Sequence, residues 1–200
     1  AFYDEGNVIT TTACGIYNSI GDPNVFADIG SSTNALQAYG VQMTNQVNFA
    51  VQNCEIRNVS NTTSQLDGIN ITLLAGQCSV SNNIIRGITG TGTTTVAMAG
   101  MRATHRTTTG VPQPTLRVYN NVISEIHRPY TGTATATRGP RGLYFLSTSA
   151  VNTPVIEVWN NTVVIDGSAN PLLSNACFEH TNPTTGTTWS VRNNIFQNNT

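Results

Sequence analysis

Val118-Tyr-Asn-Asn-Val-Ile123 decides how this chain is read, because it is one copy of a unit that recurs along most of the sequence. The other copies are Val51-Gln-Asn-Cys-Glu-Ile56, Val80-Ser-Asn-Asn-Ile-Ile85, Val158-Trp-Asn-Asn-Thr-Val163 and Val191-Arg-Asn-Asn-Ile-Phe196, and only Cys54 breaks the second Asn. Self-similarity of this kind marks a repeat architecture, in which each unit buries its apolar face against its neighbours. Val118 and Ile123 are five residues apart, so strict strand alternation would place them on opposite faces. For both to face one core the chain must bend between them, and Asn tolerates the left-handed conformation that such a bend requires. The other Asn can point inward and hydrogen-bond with its equivalents in the coils about 4.8 Å above and below. Asn53, Asn82, Asn83, Asn120, Asn121, Asn160, Asn161, Asn193 and Asn194 are therefore expected to form a bend and an internal structural ladder.

A second unit alternates with the first: Gly, an apolar residue, a variable one, and usually another apolar. Its copies are Gly15-Ile-Tyr17, Gly40-Val-Gln-Met43, Gly68-Ile-Asn-Ile71, Gly100-Met-Arg-Ala103 and Gly142-Leu-Tyr-Phe145, continued weakly by Ala176-Cys-Phe178. Short period-2 apolar strands joined by variable Thr-, Gly- and Pro-rich segments describe an all-β solenoid. Apolar spacing of the helical kind is nowhere sustained.

These paired units resemble the coils of right-handed parallel β-helix proteins, the pectate-lyase-like superfamily, over residues 13 to 200. Arg141-Gly-Leu-Tyr-Phe145, Val158-Trp-Asn-Asn-Thr-Val-Val-Ile-Asp-Gly167 and Val191-Arg-Asn-Asn-Ile-Phe196 more closely resemble long secreted surface repeat proteins of Bacteroidetes/Chlorobi-type bacteria. The resemblance implies a three-sheet β-helix of about six coils with an Asn ladder. It implies one domain over residues 1–200, a segment of a longer solenoid in which 1–12 supply an opening or cap strand. The Gly-led strands would form the first sheet and the strands on either side of each Asn pair the second and third. Connections 86–99, 124–141 and 165–175 would then return to the first sheet. Tyr17, Gln42, Asn70, Arg102, Tyr144 and Phe178 would be its outward column. In enzymes of this superfamily that sheet and those connections form the substrate cleft.

Composition narrows the function. Only 10% of residues are charged, the net charge is −1, and all nine basic residues are Arg. Such a surface has no long-range field for nucleic acid or anionic lipid. No apolar run approaches the roughly 18 residues of a membrane span, so no membrane insertion is expected. The Lys-free, Thr- and Asn-rich surface points to an extracellular or cell-surface setting. The repeat register separates Cys14 from Cys177 by five coils, roughly 24 Å, which is beyond disulfide reach. Cys54 and Cys78 are staggered along their strands, so four reduced cysteines are expected.

The cationic and aromatic cluster Arg102, His105, Arg106, His127, Arg128, Tyr130, Arg138, Arg141 and Tyr144 is the candidate ligand site. Arg pairs bidentately with carboxylates and aromatics stack on sugars, so an acidic polysaccharide is the candidate ligand. For catalysis, the carboxylates Asp67, Glu125, Asp166 and Glu179 fall on different coils. No Asp-Asp, Asn-Thr-Asp or Gly-His-Gly occurs, and Arg138-Gly-Pro-Arg141 departs from the Arg-x-Pro-x-x-Arg of pectate lyases. The expected function is a non-catalytic extracellular β-helix serving as a surface structural, fibre or matrix component, with no catalytic residues, metal or cofactor. The expected partners are further copies of itself, end to end or side by side, and polysaccharide. An adhesin for acidic polysaccharide, and a polysaccharide lyase or glycoside hydrolase, are the alternatives.

Overall fold

The computed structural model describes residues 2–5, 14–17, 24–31, 38–61, 65–90, 97–105, 113–128, 138–146, 154–168, 174–181 and 187–199. They form a right-handed parallel β-helix of about six coils, built from three six-stranded parallel sheets. The first sheet stacks Phe2–Glu5, Ala38–Thr44, Leu66–Leu74, Met98–His105, Arg138–Leu146 and Ser174–Thr181. The second stacks Cys14–Tyr17, Phe49–Gln52, Gln77–Ser81, Thr115–Tyr119, Val155–Trp159 and Thr188–Arg192. The third stacks Asn24–Ser31, Cys54–Asn61, Ile84–Gly90, Val122–Arg128, Thr162–Ser168 and Ile195–Asn198.

Every strand position thus belongs to a column repeated on each coil. Val51, Val80, Val118 and Val158 make one such column in the second sheet, and each is 0% exposed. Across the bend, Ile56, Ile85, Ile123 and Val163 make the matching column of the third sheet, also at 0%. Burying an aliphatic side chain of this size contributes roughly 1.5–3 kcal/mol, so these two columns are the main apolar spine.

The bend itself divides the two Asn of each pair. Asn53, Asn82, Asn120, Asn160 and Asn193 hold positive φ between 54° and 56°, the left-handed turn. Their neighbours Asn83, Asn121, Asn161 and Asn194 turn inward. Asn121 Nδ2 donates to Val80 O one coil back and to Asn161 Oδ1 one coil on, at 3.0 and 2.9 Å. The backbone N–H of Asn121 donates to the same Oδ1, and Asn83 and Asn161 repeat the pattern. Cys54 takes the ladder position of its coil, where its N–H donates to Asn83 Oδ1 and its thiol to Gln52 O. Asn53 is therefore a bend residue alone. Asn24 pairs with Cys54 and so occupies the same register.

The glycines of the second unit mark where the first sheet meets the third. A Cβ on Gly68 would fall 2.6 Å from Gly100 O and against Ile85 Cγ2. Gly40, Gly100 and Gly142 face Ile56, Ile123 and Val163 in the same way. Only a residue without a side chain lets the two sheets approach so closely.

Four expectations need correction. Gly15-Ile-Tyr17 lies in the second sheet, paired with Ala50-Val-Gln52, and Tyr3 holds the place assigned to Tyr17 beside Gln42. In the last coil Ala176 pairs with Arg141 and Phe178 with Leu143, so Cys177 replaces the glycine and Glu179, not Phe178, continues the outward column. Lacking its glycine, that copy offered no residue on which to fix the register. Cys14 and Cys177 therefore do not share a register. Cys54, Cys78 and Cys177 are free and buried, and burial pushes the Cys78 thiol up to about 11. The third-sheet strands also run on to Gly90, Arg128 and Ser168, so connections 86–99, 124–141 and 165–175 are partly strand. They run on through a bulge: Asn58, Gly87 and Glu125 adopt positive φ, and the register shifts between Ile123 and Ile126.

The division of labour in the bend predicts opposite effects for adjacent substitutions. Asn121→Ala strands Asn83 N–H and Nδ2 without their acceptor and should cost about 2–4 kcal/mol in urea unfolding. Asn120→Gly relieves a left-handed backbone and should leave stability unchanged or raise it by up to about 1 kcal/mol. Equal losses at the two positions would contradict the ladder.

Candidate functional site

The outward side of the first sheet carries the charged cluster. Its columns run Tyr39, Asp67, Ala99, Arg141, Ala176 and Gln42, Asn70, Arg102, Tyr144, Glu179. Asp67 is 0% exposed, and its carboxylate accepts four donors. Arg102 grips it side-on, Nε at 2.9 Å from Oδ2 and Nη2 at 3.0 Å from Oδ1. Gln65 Nε2 and Asn70 Nδ2 complete the set at 2.6 and 2.7 Å. Thr72 Oγ1 in turn donates to Asn70 Oδ1.

One coil further on, Arg141 donates through Nε to Glu179 and through Nη1 to Gly139 O. Tyr144 sits between the two pairs. The Arg102 and Arg141 guanidinium carbons lie 4.9 and 5.4 Å from its ring centre, within cation–π range. Its hydroxyl is 3.1 Å from Thr181 Oγ1. Burial first, then the Asp67 carboxylate, pushes the Tyr39 phenol up to about 12, with Arg102 opposing. The cluster is one continuous polar network across four coils.

Two expected ligand residues turn inward. His105 is 3% exposed, and among the described residues its Nε2 meets no hydrogen-bond partner. It lines, with Leu74, Leu116 and Phe145, a cavity of about 10 Å³, close to the least that holds one water molecule. Burial, and secondarily His180, pushes its pKa down to about 4. Arg128 is 1% exposed and its stem packs 3.9 Å from where a Cβ on Gly90 would lie. Register places it in the column Asn61, Gly90, Arg128, Ser168.

The nine expected ligand residues are thus only partly brought together. Arg102, Arg141 and Tyr144 share the network, with Arg141 and Tyr144 buried. His127 is half-buried on the third sheet. Arg106, Tyr130 and the Arg138 side chain lie outside the described residues. Of the acids, Asp67 and Glu179 are each held by an arginine, while Glu125 and Asp166 are exposed on the third sheet.

Sequence reasoning missed a second surface. Tyr119, Trp159 and Arg192 are successive members of one outward column of the second sheet. The Tyr119 and Trp159 rings stack 4.9 Å apart and 2° from parallel, and Arg192 lies 5.6 Å from the Trp159 ring centre. Beside them Arg117 Nε donates to Glu157 at 2.9 Å. The signal was available: all three occupy the variable position of Val-x-Asn-Asn.

The fold and these sites define a parallel β-helix with a closed charge network on one sheet and an open aromatic stack on another. No family model, curated protein or solved structure matches the chain.

Two outcomes test this geometry. Arg102→Ala leaves a fully buried carboxylate without its cation and should cost about 3–5 kcal/mol, most of it regained when Asp67→Leu is added. A single-variant loss below about 1 kcal/mol would mean the pair is solvated. For His105, the unfolded chain takes up a proton near the usual 6.5 while the folded chain resists until about 4. Stability is therefore complete above pH 6.5 and falls between 6.5 and 4, by up to about 3 kcal/mol. Thermal melts of His105→Leu should show a shallower decline over that window.

Proposed function

We propose that the chain is a non-catalytic, extracellular structural segment: a stiff rod that forms part of a surface fibre, stalk or matrix. On this reading it belongs with the pectate-lyase-like superfamily and with the secreted surface repeat proteins of Bacteroidetes/Chlorobi-type bacteria. The observation that carries it is the closure of the first-sheet network. On the face where the superfamily's enzymes hold substrate, Asp67 spends its lone pairs on Gln65, Asn70 and Arg102. A carboxylate so occupied has little capacity left to take a proton from a substrate or to ligate a cation. Glu179 is engaged by Arg141 in the same face. The two arginine–carboxylate pairs each join one coil to the next. Continuous ladders in three sheets resist bending, which suits a load-bearing spacer.

The test is incubation with polyuronates at neutral pH, followed for unsaturated or reducing-end products and for retention of the protein on the polymer. Neither product nor retention is expected. Product release that Asp67→Asn abolishes would make the chain a lyase or hydrolase. Retention that Trp159→Ala or Arg192→Ala abolishes would make it an adhesin acting through the aromatic stack of the second sheet.

A further inference from the structure

The outward side of the third sheet is apolar in the middle and unevenly charged along its length. Cys54–Asn61, Ile84–Gly90, Val122–Arg128 and Thr162–Ser168 are its four inner strands, each paired with a strand on either side. Their first outward column runs Glu55, Ile84, Val122, Thr162. Ile84 and Val122 are each 42% exposed. Both are covered by a coil above and below, so their exposure belongs to the side of the helix.

Charge divides across the same four strands. On the first two, Arg57 and Arg86 share the single carboxylate of Glu55, 3.5 and 2.7 Å from its Oε1, which leaves one positive charge in excess. On the last two, Glu125 and Asp166 are exposed and make no ion pair among the described residues. Ile85 pairs with Ile123 and Ile88 with Ile126, which sets Ser124-Glu125 alongside Arg86-Gly87. Arg86 and Glu125 thus stand at nearly the same position along the strand, on neighbouring coils.

We propose that this face binds the same face of a second copy, side by side, with the two helix axes antiparallel. A two-fold axis parallel to the strands, passing between Ile84 and Val122, reverses the order of the coils and keeps the position along each strand. Ile84 of each copy then meets Val122 of the other, Glu55 meets Thr162, and Arg86 faces Glu125. The contact is isologous, so every pairing occurs twice. A parallel arrangement would set the arginine-bearing coils against each other and the carboxylates against each other, which like-charge repulsion opposes. The order of the charges therefore sets the polarity.

Size sets the strength. Four coils about 4.8 Å apart and five residues about 3.3 Å apart give a footprint of roughly 300 Å² per copy. Stable complexes bury about 800 Å² per partner, so this segment should pair weakly and at high concentration. The inference rests on the rod reading and deepens it, since rods that pair along their length become bundles.

Sedimentation velocity over a concentration series tests both face and polarity. The unaltered chain should form reversible dimers at high concentration. Arg86→Glu alone and Glu125→Arg alone should each weaken dimerisation by about tenfold or more, because both symmetry-related pairs become repulsive. An equimolar mixture of the two variants should recover most of the dimer, since each copy then offers the charge its partner needs. Ile84→Ser/Val122→Ser should abolish it, with all variants folded by circular dichroism. The proposal is overturned if the unaltered chain stays monomeric at its highest soluble concentration. It is equally overturned if either charge reversal leaves the dimer intact, or if the mixture behaves like the separate variants. Any of these results would leave the rod reading standing, because the polyuronate assay tests that separately.

Discussion

The two-residue bend that recurs at Asn53, Asn82, Asn120, Asn160 and Asn193 constrains everything else in the described coils. A chain that turns between the second and third sheets leaves a backbone N–H pointing into the interior, away from water, where an unmade hydrogen bond is expensive. The inward Asn answers for its own coil and its neighbours together: its Oδ1 accepts from the coil before, and its Nδ2 donates both backward and forward. The residue before it must take the left-handed conformation, which Asn adopts at small cost. One pair of residues thus solves a conformational and a hydrogen-bonding problem at once. Its spacing from the flanking Val and Ile then sets which side chains enter the core.

That constraint explains why so much of the fold was legible. A requirement met in the same way on successive coils leaves a recurring trace in the sequence, so the Val-x-Asn-Asn-x-Ile copies place the second and third sheets directly. Gly40, Gly68, Gly100 and Gly142 are legible for a similar reason, since a Cβ at any of them would strike the third sheet. Where the constraint lapses, the trace goes too. Cys177 occupies the glycine position of the last coil, and with no glycine there the register slipped by one residue. Gly15 belongs to a different sheet, because glycine alone does not distinguish a close approach from an ordinary small residue. Glu125 holds a left-handed bulge position that Asn58 and Gly87 would have signalled and a glutamate conceals.

The candidate site was less legible, for a reason that follows from solenoid geometry. Neighbours in space are residues some thirty to forty positions apart in sequence, and which arginine meets which carboxylate depends on connection lengths that vary between coils. Arg102 and Asp67 are 35 residues apart and Arg141 and Glu179 are 38, so neither pair shows as a local motif. Sequence proximity gathered Arg102, His105 and Arg128 into one cluster. Alternation separates them: Arg102 faces the polar network, His105 the interior cavity, and Arg128 is buried in a column with Asn61 and Gly90. Counting positions from the bulge at Glu125 rather than from the start of the strand would have turned Arg128 inward.

A stacked coil also changes what a polar residue on a sheet face is for. In most folds an outward charge meets water. Here it meets the same position of the coils above and below, about 4.8 Å away, so like charges repel and unlike ones pair. Tyr144 beside Arg102 and Arg141 is such a solution, with one aromatic ring in cation–π range of both cations. Tyr119, Trp159 and Arg192 are another, with the ring separation of 4.9 Å matching the rise per coil. A catalytic face must break this habit and leave a carboxylate or arginine short of partners. In the described part of the first sheet, Asp67 and Arg102 are fitted to each other, and the free energy of the polar groups is spent on joining coils.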